Sequence, residues 1–313
     1  MVILRMRKTS NLIAYLIQNS DFFSEDYNYI RVKSGKSKTI KYICSSGKNK
    51  FFVKIADGDW EEKIANIYKI YVDSCVSTPK IVYLKYFKHL GKTCIVSEYI
   101  EGKSLLDIMD DSSCSELEMI AISIGSSLKK FISNIDNKTA IINELNDELE
   151  FMKKNAYNLQ HQFTNLPFIN LKRIFKVLEE NKKYVYLTNP IFIHGDVTFN
   201  NIIIKENEIY FIDIEGGRNC FRSLNFKGNW WWTWQGENIL KEQALYRGIY
   251  RGFFDDKIPR QFHKELAFTM IYTFLCRLKK YQGNIDEIQY TFLKFKDMFD
   301  QTNYFEDYYF KWF

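Results

Sequence analysis

The chain has 313 residues, of which 46% are hydrophobic and 17% are aromatic, and its formal net charge is +6. This length is enough for two compact lobes, and so much apolar sequence excludes a largely disordered protein. The positive charge is spread along the chain and accompanies no zinc-finger spacing or RNA-binding motif, so we expect no nucleic-acid partner. The sequence does not indicate an oligomeric state.

The six cysteines are scattered and include no C-x-x-C pair. This pattern indicates reduced thiols in a cytoplasmic protein rather than a disulfide framework or a metal site. Residues 1–7 alternate arginine with apolar residues and lack the continuous apolar region of a signal peptide. No apolar run approaches the roughly 18–20 residues that a membrane span needs. We therefore expect a cytoplasmic protein without a membrane span.

The first 100 residues are predicted to form a small β-rich domain. Runs rich in β-branched and aromatic residues, separated by polar turns, predict five strands. A helix is expected before the first strand, and a second helix is expected after an N-cap at Asp57 or Asp59. The first helix covers 11–18, and the strands cover 29–33, 39–45, 50–55, 80–87 and 93–99. Glu101-Gly102 then breaks the pattern, which places the domain boundary between residues 100 and 101.

Residues 101–313 are predicted to form a larger and mostly helical domain. A strand and a hairpin around 193–214 interrupt the helices, which resume from about residue 236. Helical periodicity covers 105–109, 115–132, 139–162 and 170–180. The predicted fold class is α+β, with an antiparallel sheet and one helix between its strands in the N-terminal domain and helices in the C-terminal domain.

The most informative stretch of the sequence contains three polar residues between apolar strands. Asn201 follows Asp196 by five residues, and Asp213 follows it by seventeen. This spacing is typical of phosphoryl transfer, in which the first aspartate faces a substrate hydroxyl while the asparagine and the second aspartate hold Mg²⁺. A buried polar turn that caps neighbouring strands is the competing interpretation.

The same stretch carries a family marker, H-G-D-x-x-x-x-N followed by I-D-x-E. It reads His194-Gly195-Asp196…Asn201 and Ile212-Asp213-Ile214-Glu215. Over residues 29–217 the chain resembles the aminoglycoside phosphotransferase and choline kinase group of the two-lobed protein-kinase-like fold.

The resemblance implies ATP and Mg²⁺ as cofactors and assigns roles to the marker residues. Asp196 would be the catalytic base or the residue that orients the hydroxyl, and Asn201 and Asp213 would be Mg²⁺ ligands. His194 would support the catalytic loop. Glu215 would either approach a second metal or orient the loop.

Lys54 lies in a strand of alternating apolar residues, 51–55. In this fold such a lysine points to the α- and β-phosphates of ATP, whereas a solvated lysine of an edge strand is the alternative. Its usual partner is a glutamate early in the next helix. Glu61 fits this position, and Glu62 is the second choice.

Two further ATP contacts are implied by position in the fold. The turn between the first two strands contains Ser34, Gly35 and Ser37, and Ser-rich loops often cover the phosphates in this group. The segment 97–105 resembles the hinge of the family. The backbone of Glu98 and Ile100 would then pair with adenine.

Several positions depart from related patterns. Gly195 replaces the arginine of the protein-kinase H-R-D motif and no A-P-E follows, which argues against a phosphorylation-regulated protein kinase. The aspartate that usually braces the catalytic loop is either missing or replaced by Asn225. The run Trp230–Trp234 favours core packing over an aromatic platform for a sugar ring or a cationic amine.

The resemblance implies a nucleotide-binding lobe over 1–100 and a catalytic, acceptor-binding lobe over 101–313. The implied function is ATP-dependent transfer of the γ-phosphate to a hydroxyl of a small molecule, such as a saccharide, an amino alcohol or an aminoglycoside-like compound. A protein kinase or lipopolysaccharide-sugar kinase is one alternative, because the basic chain shows no obvious acidic surface for aminoglycosides. A nucleotide-binding pseudokinase is another. Fold alone does not identify the acceptor.

Overall fold

The computed structural model describes residues 11–32, 39–131, 137–163, 165–226 and 239–305. The chain divides into two compact units. The first ends at Lys103 and also includes Ile203–Glu215, and the second comprises Ser104–Ile202 and the chain from Gly216 onward. The segment 203–215 therefore groups with the N-terminal unit, although the sequence places it in the second domain.

The first unit is built on a five-stranded antiparallel sheet in the order β1-β2-β3-β5-β4, which confirms the predicted strands. One helix precedes the sheet and another follows β3. The elements are α1 (Asn11–Asn19), β1 (Asn28–Val32), β2 (Ile40–Ser46), β3 (Asn49–Asp57), α2 (Glu61–Asp73), β4 (Ile81–Phe87) and β5 (Lys92–Glu98).

Alternation along the central strands decides which side chains are buried and which line the site. Val53 and Ile55 of β3 point into a core that also contains Ile13 and Leu16 of α1. Because successive side chains of a strand face opposite sides, Lys54 lies on the other face of the sheet. There it is flanked by Lys41 on β2 and Ile95 on β5. The core therefore fixes the direction of Lys54.

The start of α2 differs from the prediction that Asp57 or Asp59 is its N-cap. The helix begins at Glu61 with Trp60 at the N-cap position, and no side chain caps it there. The reason lies in the neighbouring strand, because the hydroxyl oxygen of Thr93 accepts the Trp60 N–H at 2.9 Å. Asp59 accepts the N–H of Glu61 at 3.2 Å instead, and Asp57 pairs with Lys92.

A β-hairpin completes the first unit. Two residues in the left-handed region, Glu206 (φ +51°) and Asn207 (φ +68°), join its strands, as a two-residue hairpin turn requires. Phe211 ties the hairpin to the chain before β4, because its N–H donates to the carbonyl of Ser77 at 2.9 Å and its carbonyl accepts from the Thr78 hydroxyl at 2.8 Å. The hairpin strands are β8 (Ile202–Lys205) and β9 (Glu208–Phe211). Two short strands come earlier in the chain, β6 (Lys103–Ser104) and β7 (Ile191–Ile193).

The second unit is mainly helical, as predicted. Its α6 runs seven residues further than the expected end at Glu180, because Asn181 and Val185 continue its buried face. The helices are α3 (Leu105–Met109), α4 (Cys114–Lys129), α5 (Lys138–Gln162), α6 (Leu171–Leu187), α7 (Ile239–Phe254), α8 (Phe262–Lys280) and α9 (Ile285–Gln301). Within the described ranges, no helix is long and apolar enough to cross a membrane.

A two-stranded ribbon in this unit holds the segment that carries the sequence marker. β7 pairs antiparallel with β10 (Arg218–Cys220), so that Ile193 lies opposite Arg218. The chain leaves β7 directly into His194-Gly195-Asp196. The ribbon therefore sets the position at which this loop begins.

Candidate active site

The loop after β7 is anchored through the backbone of His194. His194 is fully buried, and its N–H donates to the side-chain oxygen of Asn225 at 2.9 Å. Asn225 is also fully buried. A buried N–H without an acceptor costs free energy, so this bond fixes the start of the loop. Asn225 thus holds the loop at the position where the resemblance implies a bracing aspartate.

Position 195 requires a glycine, both for its backbone conformation and because another segment of the chain lies close to it. Its φ is +84°, a region that side chains rarely adopt. A Cβ at this position would lie 2.3 Å from the carbonyl oxygen of Gly216. The chain therefore passes Gly216 closely and then presents the exposed side chain of Asp196.

Asp196 and Asn201 are in direct contact. The Asn201 amide nitrogen donates to Oδ2 and to the backbone oxygen of Asp196, both at 3.0 Å. A tight turn supports this contact, because the N–H of Thr198 donates to the Asp196 carbonyl at 2.9 Å. The contact orients the Asp196 carboxylate and uses only the amide nitrogen of Asn201.

A second cluster lies in the first unit, where Lys54 contacts two carboxylates. Its ammonium group pairs with Asp213 and, at 2.6 Å, with Oε1 of Glu215. Asp213 directly precedes the short helical turn Ile214–Gly216 and has φ +62°. An aspartate held in the left-handed region is uncommon, and such conformations concentrate at functional sites.

The three charges shift one another's ionisation. Burial opposes the charge of Asp213, but the attraction of Lys54 and hydrogen bonds with Glu215 and Lys54 together outweigh it and lower the pKa of Asp213 to about 2. Burial raises the pKa of Glu215, and the neighbouring charge of Asp213 adds to this effect although Lys54 opposes it. Burial would lower the pKa of Lys54, yet its two carboxylate partners raise it. Lys54 is therefore held as a cation.

The predicted partner of Lys54 is wrong. The Glu61 carboxylate is exposed and accepts the backbone N–H of Tyr86 in β4 at 2.6 Å. Glu62, the second choice, is exposed and makes none of the ion pairs of the described chain. The carboxylates of Asp213 and Glu215 take the place that the resemblance assigned to Glu61. The D-x-E spacing of residues 213–215 was the signal in the sequence that pointed to Glu215.

The predicted hinge lies at the end of β5. The N–H of Glu98 donates to the carbonyl of Lys80 at 2.9 Å, so it is already engaged. The N–H of Ile100 has no acceptor among the described residues. Ser34, Gly35 and Ser37, as well as Trp230–Trp234, lie outside the described residues.

The donor set fits a magnesium ion that also takes oxygens from phosphates. Mg²⁺ is usually bound through one or two carboxylates together with substrate phosphates and water. Within the first unit Asp213 supplies a carboxylate, and Oε2 of Glu215 is buried without a hydrogen-bond partner. The part of the chain that the structure describes holds no group of three or more His, Cys, Asp or Glu side chains placed for a metal.

Comparison with known proteins places this arrangement in a recognised fold. No protein-family model and no curated protein sequence matches the chain. Solved structures match it closely in fold, over nearly their whole length. The gentamicin complex of aminoglycoside phosphotransferase APH(2'')-IIa has a TM-score of 0.64 at 13% identity, with 92% of this chain and 96% of that chain covered.

Two further solved structures have a similar fold. The ADP-bound aminoglycoside phosphotransferase APH(2'')-Ib has a TM-score of 0.63 at 14% identity and covers 91% of this chain and 98% of its own. The spectinomycin phosphotransferase APH(9)-Ia, solved with ADP and spectinomycin, has a TM-score of 0.56 at 14% identity, with 92% and 94% covered. The chain therefore has the two-lobed protein-kinase-like fold of the aminoglycoside phosphotransferases, as predicted.

Proposed function

We propose that this protein is an ATP- and Mg²⁺-dependent phosphotransferase that moves the γ-phosphate of ATP to a hydroxyl group of a small molecule. The observation that carries the proposal is the ion pair between Lys54 and Asp213, which lie 159 residues apart in the sequence. In kinases the lysine of the sheet binds the phosphates of ATP and the aspartate after the hairpin holds Mg²⁺, and this ion pair shows that the two side chains lie next to each other.

Asp196 is the proposed catalytic residue. Its carboxylate is exposed, and the Asn201 amide fixes its orientation. In phosphoryl transfer the nucleophile needs positioning more than strong deprotonation, because the transition state is loose. Asp196 would accept a hydrogen bond from the acceptor hydroxyl, align it with the γ-phosphate and take up its proton.

The nucleotide would be held by side chains and by the backbone. Lys54 would bind the α- and β-phosphates, and the backbone of Glu98 and Ile100 would pair with adenine. Ser34, Gly35 and Ser37 remain the sequence-based choice for the loop over the phosphates. Asn201 and Asp213 would hold Mg²⁺, which neutralises the phosphate charges when it is bound.

The proposed acceptor is a polyhydroxylated small molecule, such as a saccharide, an amino alcohol or an aminoglycoside-like compound. Its support is the likeness in fold to phosphotransferases that were solved with gentamicin and with spectinomycin. The nucleotide would bind to the N-terminal lobe and the acceptor to the C-terminal lobe. We place the reaction in the cytoplasm, where ATP is available and thiols stay reduced.

A phosphate-transfer screen tests this function. The purified protein is incubated with Mg·ATP and with panels of sugars, amino alcohols and aminoglycosides, and phosphorylated products are detected by mass spectrometry. We expect one class of acceptor to be phosphorylated, and we expect Asp196→Ala to abolish the product. Transfer only to proteins or to lipopolysaccharide sugars would overturn the acceptor class, and nucleotide binding without transfer to any acceptor would identify a pseudokinase.

A further inference from the structure

Lys54 draws both of its carboxylate partners from one short segment. Asp213 and Glu215 are two residues apart, on either side of Ile214, at the start of the turn Ile214–Gly216. The Lys54 side chain is only 14% exposed. Its position is therefore set by this segment and by the sheet.

Glu61 is committed to another contact. Its Oε2 accepts the N–H of Tyr86 at 2.6 Å, which joins the first turn of α2 to β4. The same turn is held by Thr93, whose hydroxyl accepts the N–H of Trp60 and donates to the carbonyl of Gly58 at 2.7 Å. These bonds satisfy backbone groups at the helix start. Glu61 thus has a structural contact of its own, away from Lys54.

Helix α2 carries a buried tyrosine that responds to the charge of the cluster. Tyr71 is fully buried on the packed face of α2 with Ile64 and Ile67. Burial raises the pKa of the Tyr71 hydroxyl, and the negative charge of Glu215 raises it further.

The two carboxylates that pair with Lys54 differ in exposure and in their proposed binding of Mg²⁺. Asp213 is 39% exposed, whereas Glu215 is 23% exposed and its Oε2 is buried. An aspartate that ligates Mg²⁺ shares its negative charge with the metal. Only one carboxylate would then remain to hold the ammonium group of Lys54 in place.

We propose that Glu215 is the positioning residue of Lys54, in the role that a glutamate of the following helix has in related kinases. The proposal rests on the proposed function and adds to it how the phosphate-binding lysine is oriented. Glu215 acts through Lys54, with Oε1 as the acceptor at 2.6 Å. Glu215 would keep Lys54 in place for the phosphates if Asp213 binds Mg²⁺.

A double-mutant cycle on nucleotide binding tests this role. The Kd for Mg·ATP is measured by isothermal titration calorimetry for the wild type, Glu215→Gln, Lys54→Met and the double variant. We expect Glu215→Gln to raise Kd about tenfold, since a hydrogen bond to a charged group is lost. In the Lys54→Met background the same change should alter Kd less than twofold, because coupled residues give non-additive effects.

Glu61→Gln is the matched comparison, and Glu62→Gln is the control at an exposed neighbouring site. Glu61→Gln should lower the melting temperature through its bond to Tyr86 and change Kd less than twofold. Glu62→Gln should change neither. Thermal unfolding of every variant establishes that it is folded, and Glu215→Asp, which keeps the charge but shortens the side chain, replaces Glu215→Gln if that variant does not fold.

Three results would overturn the role of Glu215. The first is an unchanged Kd in Glu215→Gln. The second is an equal loss of affinity in the Lys54→Met background, which would indicate that Glu215 acts on the metal or the nucleotide directly. The third is a rise in Kd in Glu61→Gln as large as the rise in Glu215→Gln. A wild-type protein that binds no Mg·ATP would overturn the proposed function as well, so the two failures are distinguishable.

Discussion

Replacing Gly195 by alanine tests whether the loop before Asp196 is held as closely as the structure indicates. The residue has φ +84°, and a Cβ there would lie 2.3 Å from the carbonyl oxygen of Gly216. The positive φ alone costs an alanine about 1–2 kcal/mol. The contact is more than about 1 Å shorter than an ordinary van der Waals distance, and such overpacking typically adds about 1–3 kcal/mol.

Gly283→Ala separates the two contributions. Gly283 has φ +91°, but no atom lies within 4 Å of where its Cβ would be. It should therefore show the cost of the backbone conformation alone. We expect urea unfolding to give a loss of about 2–5 kcal/mol for Gly195→Ala and about 1–2 kcal/mol for Gly283→Ala.

Activity provides a second readout of the same pair. Because the alanine pushes the loop away from Gly216, Gly195→Ala should also lose phosphate transfer under conditions in which it is still folded. Gly283→Ala should keep it. Equal losses of stability in the two variants, or full activity in Gly195→Ala, would refute the close approach of Gly195 to Gly216.

Two further predictions concern buried polar groups. Glu242 is 3% exposed and its Oε2 lacks a hydrogen-bond partner, and burial raises its pKa to about 7. A raised carboxyl pKa contributes stability below the unfolded-state value and loses it as pH rises through the folded-state value. The wild type should therefore lose about 3 kcal/mol between pH 4.5 and 8 relative to Glu242→Gln, as measured by urea unfolding across this range. An identical pH dependence in Glu242→Gln and in the wild type would contradict this. Asn225→Ala leaves the buried N–H of His194 without its acceptor and should cost about 1–3 kcal/mol, whereas Asn225→Asp keeps an acceptor and should cost less. Equal losses in the two Asn225 variants would show that the hydrogen bond does not brace the loop.

Local patterns in the sequence were enough to predict much of the fold. Alternation of apolar residues located β2, β3 and β5 to within about two residues, because one face of each strand is buried. The spacing of Asp196 and Asn201 marked both residues in the sequence, whereas the hydrogen bond between them was visible only in the structure.

The partner of Lys54 was not predictable in the same way. A glutamate at the start of α2 has the right sequence position, but its contacts depend on where β4 ends and which backbone N–H groups lack an acceptor there. The backbone N–H of Tyr86 is such a group, and it donates a hydrogen bond to the Glu61 carboxylate. Glu215 reaches Lys54 only because the hairpin β8–β9 packs with the N-terminal unit. Such long-range packing is not encoded in local periodicity.

Asn225 is a third case, because the sequence alone did not show whether the bracing aspartate is missing or replaced by this residue. The residue lies where the sequence resemblance implies an aspartate, yet its spacing alone does not show whether its side chain faces the loop. The hydrogen bond from His194 depends on β7 and β10 pairing, which brings the segment after β10 beneath the loop. Only the tertiary structure shows that the Asn225 side chain holds the loop.

The most direct test of the central claim is the rate of phosphate transfer by Asp196→Asn. Asp147→Asn is a matched control, because Asp147 is an exposed aspartate on α5 far from the marker in sequence. At saturating Mg·ATP and acceptor, we expect Asp196→Asn to lower kcat by about 10²–10⁴-fold with an unchanged Kd for ATP, and Asp147→Asn to retain the wild-type rate. A wild-type kcat in folded Asp196→Asn would contradict the assignment of this site as the centre of phosphoryl transfer.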